Sequence, residues 1–218
     1  MSVARAIILA AGQGFSLDGV NKVLIRHPRS GRTVLEHALE AFAGKQVTVV
    51  VGFRAIEIMQ YQPQLDYVIN HDWAVTHNAR SLGLALDERP CYVVSGDIFF
   101  EPALVRDLDA APANLVLTDE AENRGPTAIH CVLSGGRRVS EMYPGLVRDP
   151  AHPQAVGLFK VSSAALLAEW KRRCMRHGNL FVGQLLPCDL DAVTAVSRRA
   201  HAFDEINTAD DYLRLARR

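Results

Sequence analysis

Hydrophobic and polar positions along this chain follow two rhythms in turn. Residues 4–10, Ala-Arg-Ala-Ile-Ile-Leu-Ala, form a short apolar run that ends in Ala11-Gly-Gln-Gly14, the pattern of a strand entering a glycine turn. Val34, Leu35, Ala38, Leu39 and Phe42 fall on one helical stripe. Thr33 stands at its N-cap position with Glu36 three residues on, and Gly44 is the stop. Gln46–Val51 predicts the next strand and residues 65–69 a third. Residues 78–87 predict a helix with Leu82, Ala85 and Leu86 inward, and Cys91–Ser95 predicts a fourth strand leading into Gly96-Asp97. A helix over 102–108 follows. Strands alternating with helices at this spacing predict βαβ units and a parallel sheet, and the continuous Val and Ile runs predict strands covered on both faces.

Past residue 110 the rhythm changes. Residues 114–118, 128–133, 137–142 and 155–161 read as strands, separated by turn-rich stretches at 123–126, at Ser134-Gly-Gly136 and at 148–153. The Ser-Gly-Gly turn predicts a hairpin. Residues 162–177 predict a long helix capped by Ser162 or Ser163 and stopped by Gly178. Residues 208–217 predict a final helix with Thr208 as N-cap and Asp210 and Asp211 in its first turn, where the helix dipole favours acids. The expected fold class is α/β: a three-layer α/β/α sandwich with a mostly parallel, Rossmann-like sheet and a small β-rich lobe over about residues 112–160. There is no internal repeat and no linker, so one domain is expected over the 218 residues.

Composition narrows the function. Lys plus Arg and Asp plus Glu number 24 each, so the chain has no global field to draw a nucleic-acid backbone. The local run Lys171, Arg172, Arg173, Arg176 reads as the wet face of a helix. Cys91, Cys131, Cys174 and Cys188 are far apart, with no metal-ligand spacing, and a reduced, cytoplasmic setting is expected. The apolar run Ala6 to Ala11 is too short for a signal peptide or a membrane span. Neither nucleic acid nor membrane is therefore an expected partner. His71, His77 and His130 read as solvated or core-satisfied rather than as metal ligands.

The strongest chemical signal is Leu9, Ala10, Ala11, Gly12, Gln13, Gly14, then Lys22. In an open parallel sheet, ligands bind beyond the carboxyl ends of the strands. A turn of Ala and Gly lets backbone N–H groups approach a nucleotide there, and a lysine eight residues on can place a compact positive charge over developing phosphorus charge. The turn lacks the Gly-Lys-Ser/Thr ending of a Walker loop and the third glycine of the dinucleotide fingerprint. Taken alone it also fits a structural turn followed by a surface lysine. Asp97 ends a predicted strand and points at the same mouth. Magnesium on a triphosphate needs only one or two carboxylates, although Asp97 also fits a cap for the helix at 102–108. Glu205 and Asn207 share one face of an extended segment, as ligands or as turn and cap residues. Asn78 and Ser81 lie a turn apart at a helix start, where Asn78 could equally be a cap.

These motifs together resemble the nucleotidyltransferase superfamily that includes sugar-phosphate, molybdopterin and phosphocholine nucleotidyltransferases. Leu9-Ala-Ala-Gly-x-Gly14 with Lys22-Val-Leu24 is similar to the superfamily's first motif. Asn78-Ala-Arg-Ser-Leu82 looks like a stretch of the phosphocholine and aminoethylphosphonate cytidylyltransferases. Val94-Ser-Gly-Asp97 resembles the metal-binding segment, and Asp204-Glu-Ile-Asn-Thr208 the closing one. The resemblance implies CMP transfer from CTP to a phosphonate or phosphomonoester acceptor, with pyrophosphate released. It implies Lys22 as the catalytic cation, Leu9–Gly14, Asn78 and Ser81 at the nucleotide, and Mg2+ on Asp97, Glu205 and Asn207. Residues 1–111 would then be the nucleotide-binding half and 112–218 the acceptor half. A sugar-1-phosphate or molybdopterin nucleotidyltransferase, or a nucleotide-binding module without turnover, are the alternatives.

The chain departs from the family at several places. Ser16 stands where the family has a triphosphate-gripping Arg, and Arg26, Arg29 and Arg32 are the expected substitutes. Asn21 replaces the usual Pro before the lysine. Pro126 and Val182 replace aromatic residues suited to a choline ammonium, and Gly183 replaces an acid, so a choline acceptor is not expected.

Overall fold

The computed structural model describes residues 3–120, 128–198 and 201–217. The 123–126 turn and Pro126 lie outside the described residues. The first half alternates as its pattern requires: β1 (Arg5–Ala10), α1 (Val34–Ala41), β2 (Gln46–Val51), α2 (Ala55–Tyr61), β3 (Asp66–Ile69), α3 (Asn78–Ala85) and β4 (Cys91–Ser95). A short strand β5 (Ile98–Phe100), α4 (Pro102–Ala110) and β6 (Leu115–Asp119) follow. The second half holds β7 (Ile129–Ser134), β8 (Arg138–Pro144), β9 (Gln154–Val161), α5 (Ala164–Arg176), β10 (Thr194–Ser197), β11 (Phe203–Glu205) and α6 (Ala209–Arg217).

The caps follow the sequence closely. Thr33 accepts from the Glu36 N–H while the Glu36 carboxylate accepts from the Thr33 N–H, a complete capping box. Ser163, not Ser162, caps α5. Thr208 and Asp211 exchange side-chain bonds at the start of α6, where the Asp211 carboxylate accepts from the N–H groups of Asn207 and Thr208.

Nine strands form one sheet in the order β3-β2-β1-β4-β9-β6-β10-β8-β7. The β3-β2-β1-β4 half is parallel throughout. Beyond it, β9 lies antiparallel between β4 and β6, β10 is parallel to β6, and β8 and β7 are antiparallel. The expectation of a mostly parallel sheet is thus corrected to a mixed one. The apolar runs did signal burial on both faces, but two-sided burial comes from helices above and below and carries no strand direction. The small β-rich lobe expected over about residues 112–160 is a continuation of the main sheet, which β6, β7, β8 and β9 all join. The Ser134-Gly-Gly136 turn does close a hairpin between β7 and β8.

Alternation along the strands sorts the core onto two faces. Ile7, Leu9 and Val93 pack with α3 and α5, including Leu82 and Trp170. Ala6, Ile8, Tyr92 and Val94 pack with α1, α2 and α4, including Leu35, Ile58 and Leu104. A second, two-stranded sheet pairs β5 with β11, setting Ile98 opposite Glu205 across more than 100 residues of chain. Among the described residues no helix is long and apolar enough to cross a membrane.

Candidate active site

The carboxyl ends of β1 and β4 open into a cavity of about 660 Å³. Leu9, Ala10, Ala11, Gly12, Gln13 and Gly14 all line it, as do Lys22, Asn78, Ser81 and Asp97. The glycines have separable roles. Gly14 takes a left-handed conformation (φ 58°), and a Cβ there would sit 2.8 Å from the Val20 carbonyl oxygen. Gly96 donates its N–H to the Leu9 carbonyl at 2.9 Å, and a Cβ there would lie 2.7 Å from that oxygen. Both are turn requirements. Gly12 is different, since a Cβ on it would meet nothing within 4 Å. Its bareness serves the open space in front of the turn rather than the fold. The N–H groups of Gly12, Gln13 and Gly14 have no partner among the described residues, which leaves three unpaired donors on residues that line the cavity.

A charged cluster sits beside this turn. Lys22 Nζ donates to Asp97 Oδ2 at 3.0 Å and to Asn207 Oδ1 at 2.8 Å. Asp97 Oδ1 is buried and has no hydrogen-bond partner among the described residues. Burial, and then the neighbouring Asp97 charge, push the Glu205 carboxyl up to about 7, while Asn207 and Lys22 draw it back. Three expected site positions, Asp97, Glu205 and Asn207, thus meet around Lys22, although Glu205 and Asn207 are not among the residues lining the cavity. The β5–β11 pairing makes the meeting possible, and the Ile206 N–H donating to the Asp97 carbonyl at 2.9 Å fastens it. Asp97 does not cap the helix at 102–110; Glu101 holds the N-cap position. Among the described residues no group of three or more His, Cys, Asp or Glu side chains comes together as a metal centre. Asp97 and Glu205 with one amide oxygen still suit a hard cation that keeps waters and phosphate oxygens as its remaining ligands.

Asn78 opens α3 without capping it, since the N-cap is His77. Its Oδ1 accepts from the Val182 N–H at 3.0 Å, tying the segment after α5 to the cavity wall. Val182 is itself buried, its carbonyl accepting from Trp170 Nε1. Ser81 is buried against Asn70. Asn70, Trp73, Thr76 and Phe181 also line the cavity, and no sequence pattern marks them. They lie in irregular segments after β3 and α5, where no periodicity marks them.

The expected arginine substitutes go elsewhere. Arg26 donates to the Gly31 carbonyl and lies over the Tyr61 ring. Arg32 pairs with Glu40. Arg29 lines a different cavity, with Arg198 and His201. Local sequence proximity to Lys22 misled here, because the chain after Leu24 turns away to pair Arg26 with Thr33. Ser16 remains at the cavity and donates through its hydroxyl to the Asn207 carbonyl. Of the histidines, His71 is exposed, His77 packs on Phe181, and His130 is buried with Nε2 2.8 Å from the Gly145 carbonyl oxygen. Arg172 and Arg173 are spent on Glu169, with Arg173 also reaching Asp189. The four cysteines are free and buried, and burial pushes each thiol up to about 12, which removes them as nucleophiles.

Known proteins resemble this chain in sequence and in fold. CMP-5'-(3-aminopropyl)phosphonate synthase of Streptomyces rubellomurinus is 35% identical over 124 residues, a match taking in 50% of this chain and 19% of that protein's length. The chain thus covers less than a fifth of this relative. Two solved structures share the fold end to end. The CTP:phosphocholine cytidylyltransferase LicC of Streptococcus pneumoniae superposes with a TM-score of 0.77 at 17% identity, covering 100% of this chain and 99% of its own. The inositol-1-phosphate CTP transferase of T. maritima gives 0.76 at 16% identity, covering 99% and 96%. The model of the MobA-like NTP transferase domain matches residues 6–177, well over half the chain and the whole stretch from the glycine turn through Asp97 to α5. The chain therefore belongs to the family of MobA-like NTP transferase domains.

Proposed function

We propose that this chain transfers CMP from CTP to a phosphonate or phosphomonoester acceptor and releases pyrophosphate. The observation that carries the proposal is Lys22, held between Asp97 and Asn207 beside a glycine turn that lines an open cavity with its N–H groups unpaired among the described residues. The acceptor's oxyanion attacks the α-phosphorus in line. The new P–O bond forms as the bond to the bridging oxygen breaks, and pyrophosphate leaves with that electron pair. Little covalent chemistry falls to the protein, so positioning and charge stabilisation supply the rate. An ammonium has three donors, and two of those on Lys22 are engaged; the third is available to an α-phosphate oxygen. The N–H groups of Gly12 to Gly14 supply neutral dipoles to the same phosphates. Asn78 and Ser81 face the nucleoside. Asp97 Oδ1, Glu205 and Asn207 are the oxygens that fit magnesium, which when bound neutralises triphosphate charge. Residues 112–218 contribute the acceptor side. The free, buried thiols suit a reduced, cytoplasmic setting.

The CTP preference and the phosphonate class rest on the relative's name and on the Asn78-to-Leu82 motif. The test is pyrophosphate release from purified protein with CTP, ATP, GTP or UTP, each against 2-aminoethyl- and 3-aminopropylphosphonate, phosphocholine and a sugar 1-phosphate. Release with CTP and a phosphonate is the expected result. Release with another base and a sugar phosphate would transfer the assignment to the sugar branch. Among the described residues no arginine lines the cavity, which favours one second reading, a module that binds nucleotide without turnover. Calorimetric CTP binding with no release under any pairing would establish it.

A further inference from the structure

The cavity wall holds a buried amide whose hydrogen bonds are all determined. Asn70 is 1% exposed and follows β3. Its Oδ1 accepts from the Asp72 N–H at 3.0 Å. A backbone N–H can only donate, so this bond fixes which end of the amide is oxygen. The Nδ2 end then faces two hydroxyls, Ser81 Oγ at 3.0 Å and Thr76 Oγ1 at 3.3 Å. Both hydroxyls must accept. Thr76 directs its proton to the Asp72 carbonyl at 2.7 Å. Ser81 has Asn70 as its one hydrogen-bond partner among the described residues, and it lines the cavity. Its proton therefore has no acceptor among the described residues, and the open direction is the cavity.

We infer that Asn70 is a positioning residue that makes Ser81 a hydrogen-bond donor toward the nucleoside, and so selects a base with an acceptor at that edge. The inference rests on the nucleotidyl-transfer reading above. Cytosine presents adjacent acceptors at N3 and O2, whereas uracil carries a donor at N3. A hydroxyl compelled to donate opposite N3 pairs with the first and opposes a like donor on the second. Sites built around a hydrogen bond reject the analogue that cannot make it far better than sites built on size alone. Asn70 acts only through Ser81, because its own donors and acceptor are already occupied.

The experiment is calorimetric titration of the full chain with CTP and with UTP in the presence of magnesium. Asn70→Asp places an acceptor opposite Ser81, so the serine proton turns inward and the donor is lost from the cavity. The expected result is a five- to tenfold loss of CTP affinity, the size of about one neutral hydrogen bond, and a narrowing of the CTP-over-UTP ratio. Ser81→Ala keeps the backbone and volume nearly unchanged and should give the same loss even where Asn70→Asp folds poorly. In a Ser81→Ala background, Asn70→Asp should leave CTP affinity unaltered while still lowering the melting temperature. A merely structural Asn70 would lower the melting temperature alike in both backgrounds and leave the base ratio alone. The inference is overturned if the parent prefers CTP and Ser81→Ala retains both affinity and ratio. If the parent binds no nucleoside triphosphate, the nucleotidyl-transfer reading and this inference fail together.

Discussion

Two lysine–aspartate pairs sit at opposite ends of the same parallel strands. At the amino ends, Lys45 donates to Asp109 Oδ1 and Oδ2 at 3.0 and 2.8 Å and to the Val3 carbonyl at 2.8 Å, while the Tyr92 hydroxyl donates to Asp109 Oδ1 at 2.8 Å. At the carboxyl ends, Lys22 meets Asp97 at a similar 3.0 Å. The pairs differ in what they leave over. Both oxygens of Asp109 are engaged, and its neighbours hold its carboxyl below the ordinary range against the opposing effect of burial. Asp97 keeps one buried oxygen without a partner among the described residues, and burial together with the Asp97 charge pushes a second carboxyl, Glu205, up to about 7. The closed network locks β2 and α4 to the sheet. The open one retains a buried carboxylate oxygen without a partner among the described residues, and such groups cluster where a protein does chemistry.

Substitutions at the two ends should separate these roles. The largest expected effect is on turnover. Lys22→Ala should lower pyrophosphate release by about 10² to 10³ with a small change in melting temperature. Lys45→Met should do the reverse, lowering stability in urea by about 3 kcal/mol because Asp109 is stranded, with activity per folded molecule retained. Equal losses of stability in both variants would erase the distinction.

Asp97→Asn should come next. It should abolish magnesium-stimulated activity and the protection from thermal unfolding that magnesium and CTP give together. If its main effect were instead a loss of stability without ligand, Asp97 would be a structural residue like Asp109.

A smaller effect is expected at Glu205. Glu205→Gln removes like-charge repulsion with Asp97, so the ligand-free protein should melt no lower than the parent. Metal affinity, followed with Mn2+ by electron paramagnetic resonance, should still fall by about tenfold, as for one lost charged ligand. Unchanged Mn2+ affinity would take Glu205 out of the cation site.

The smallest effects are expected at the arginines after Lys22. Arg26→Ala, Arg29→Ala and Arg32→Ala should each leave CTP affinity within about twofold, because their side chains point to other surfaces and exposed pairs contribute little. A tenfold loss at any of them would return that arginine to the triphosphate.

Several parts of this protein were legible in sequence for local reasons. The capping box at Thr33 and Glu36, the strands Gln46–Val51 and Cys91–Ser95, and the Ser134-Gly-Gly136 hairpin each depend on residues within a few positions of one another. The glycine turn, Lys22 and Asp97 were legible as neighbours of one cavity because each lies at or soon after the carboxyl end of a strand. By contrast, β11 and β10 are short strands with little apolar signal, and they form because a partner strand is present. The direction of β9 between β4 and β6 was decided by tertiary packing, since a run buried on both faces reads the same in either direction. Arg26, Arg29 and Arg32 are near Lys22 in sequence but not at its cavity, because the chain after Leu24 turns away toward Thr33.

The sequence by itself therefore determined the alternating first half, the caps, and the identity of the groups at the strand ends, all of which follow from short-range sterics and periodicity. Only the tertiary structure decided how Glu205 and Asn207 reach Lys22 and Asp97, through the β5–β11 pairing, and that Asn70 donates to Ser81. The physical reason is the same in both cases. A hydrogen bond or ion pair between distant segments depends on a register set by sheet pairing and core packing, and no local pattern encodes which buried polar group will find which partner.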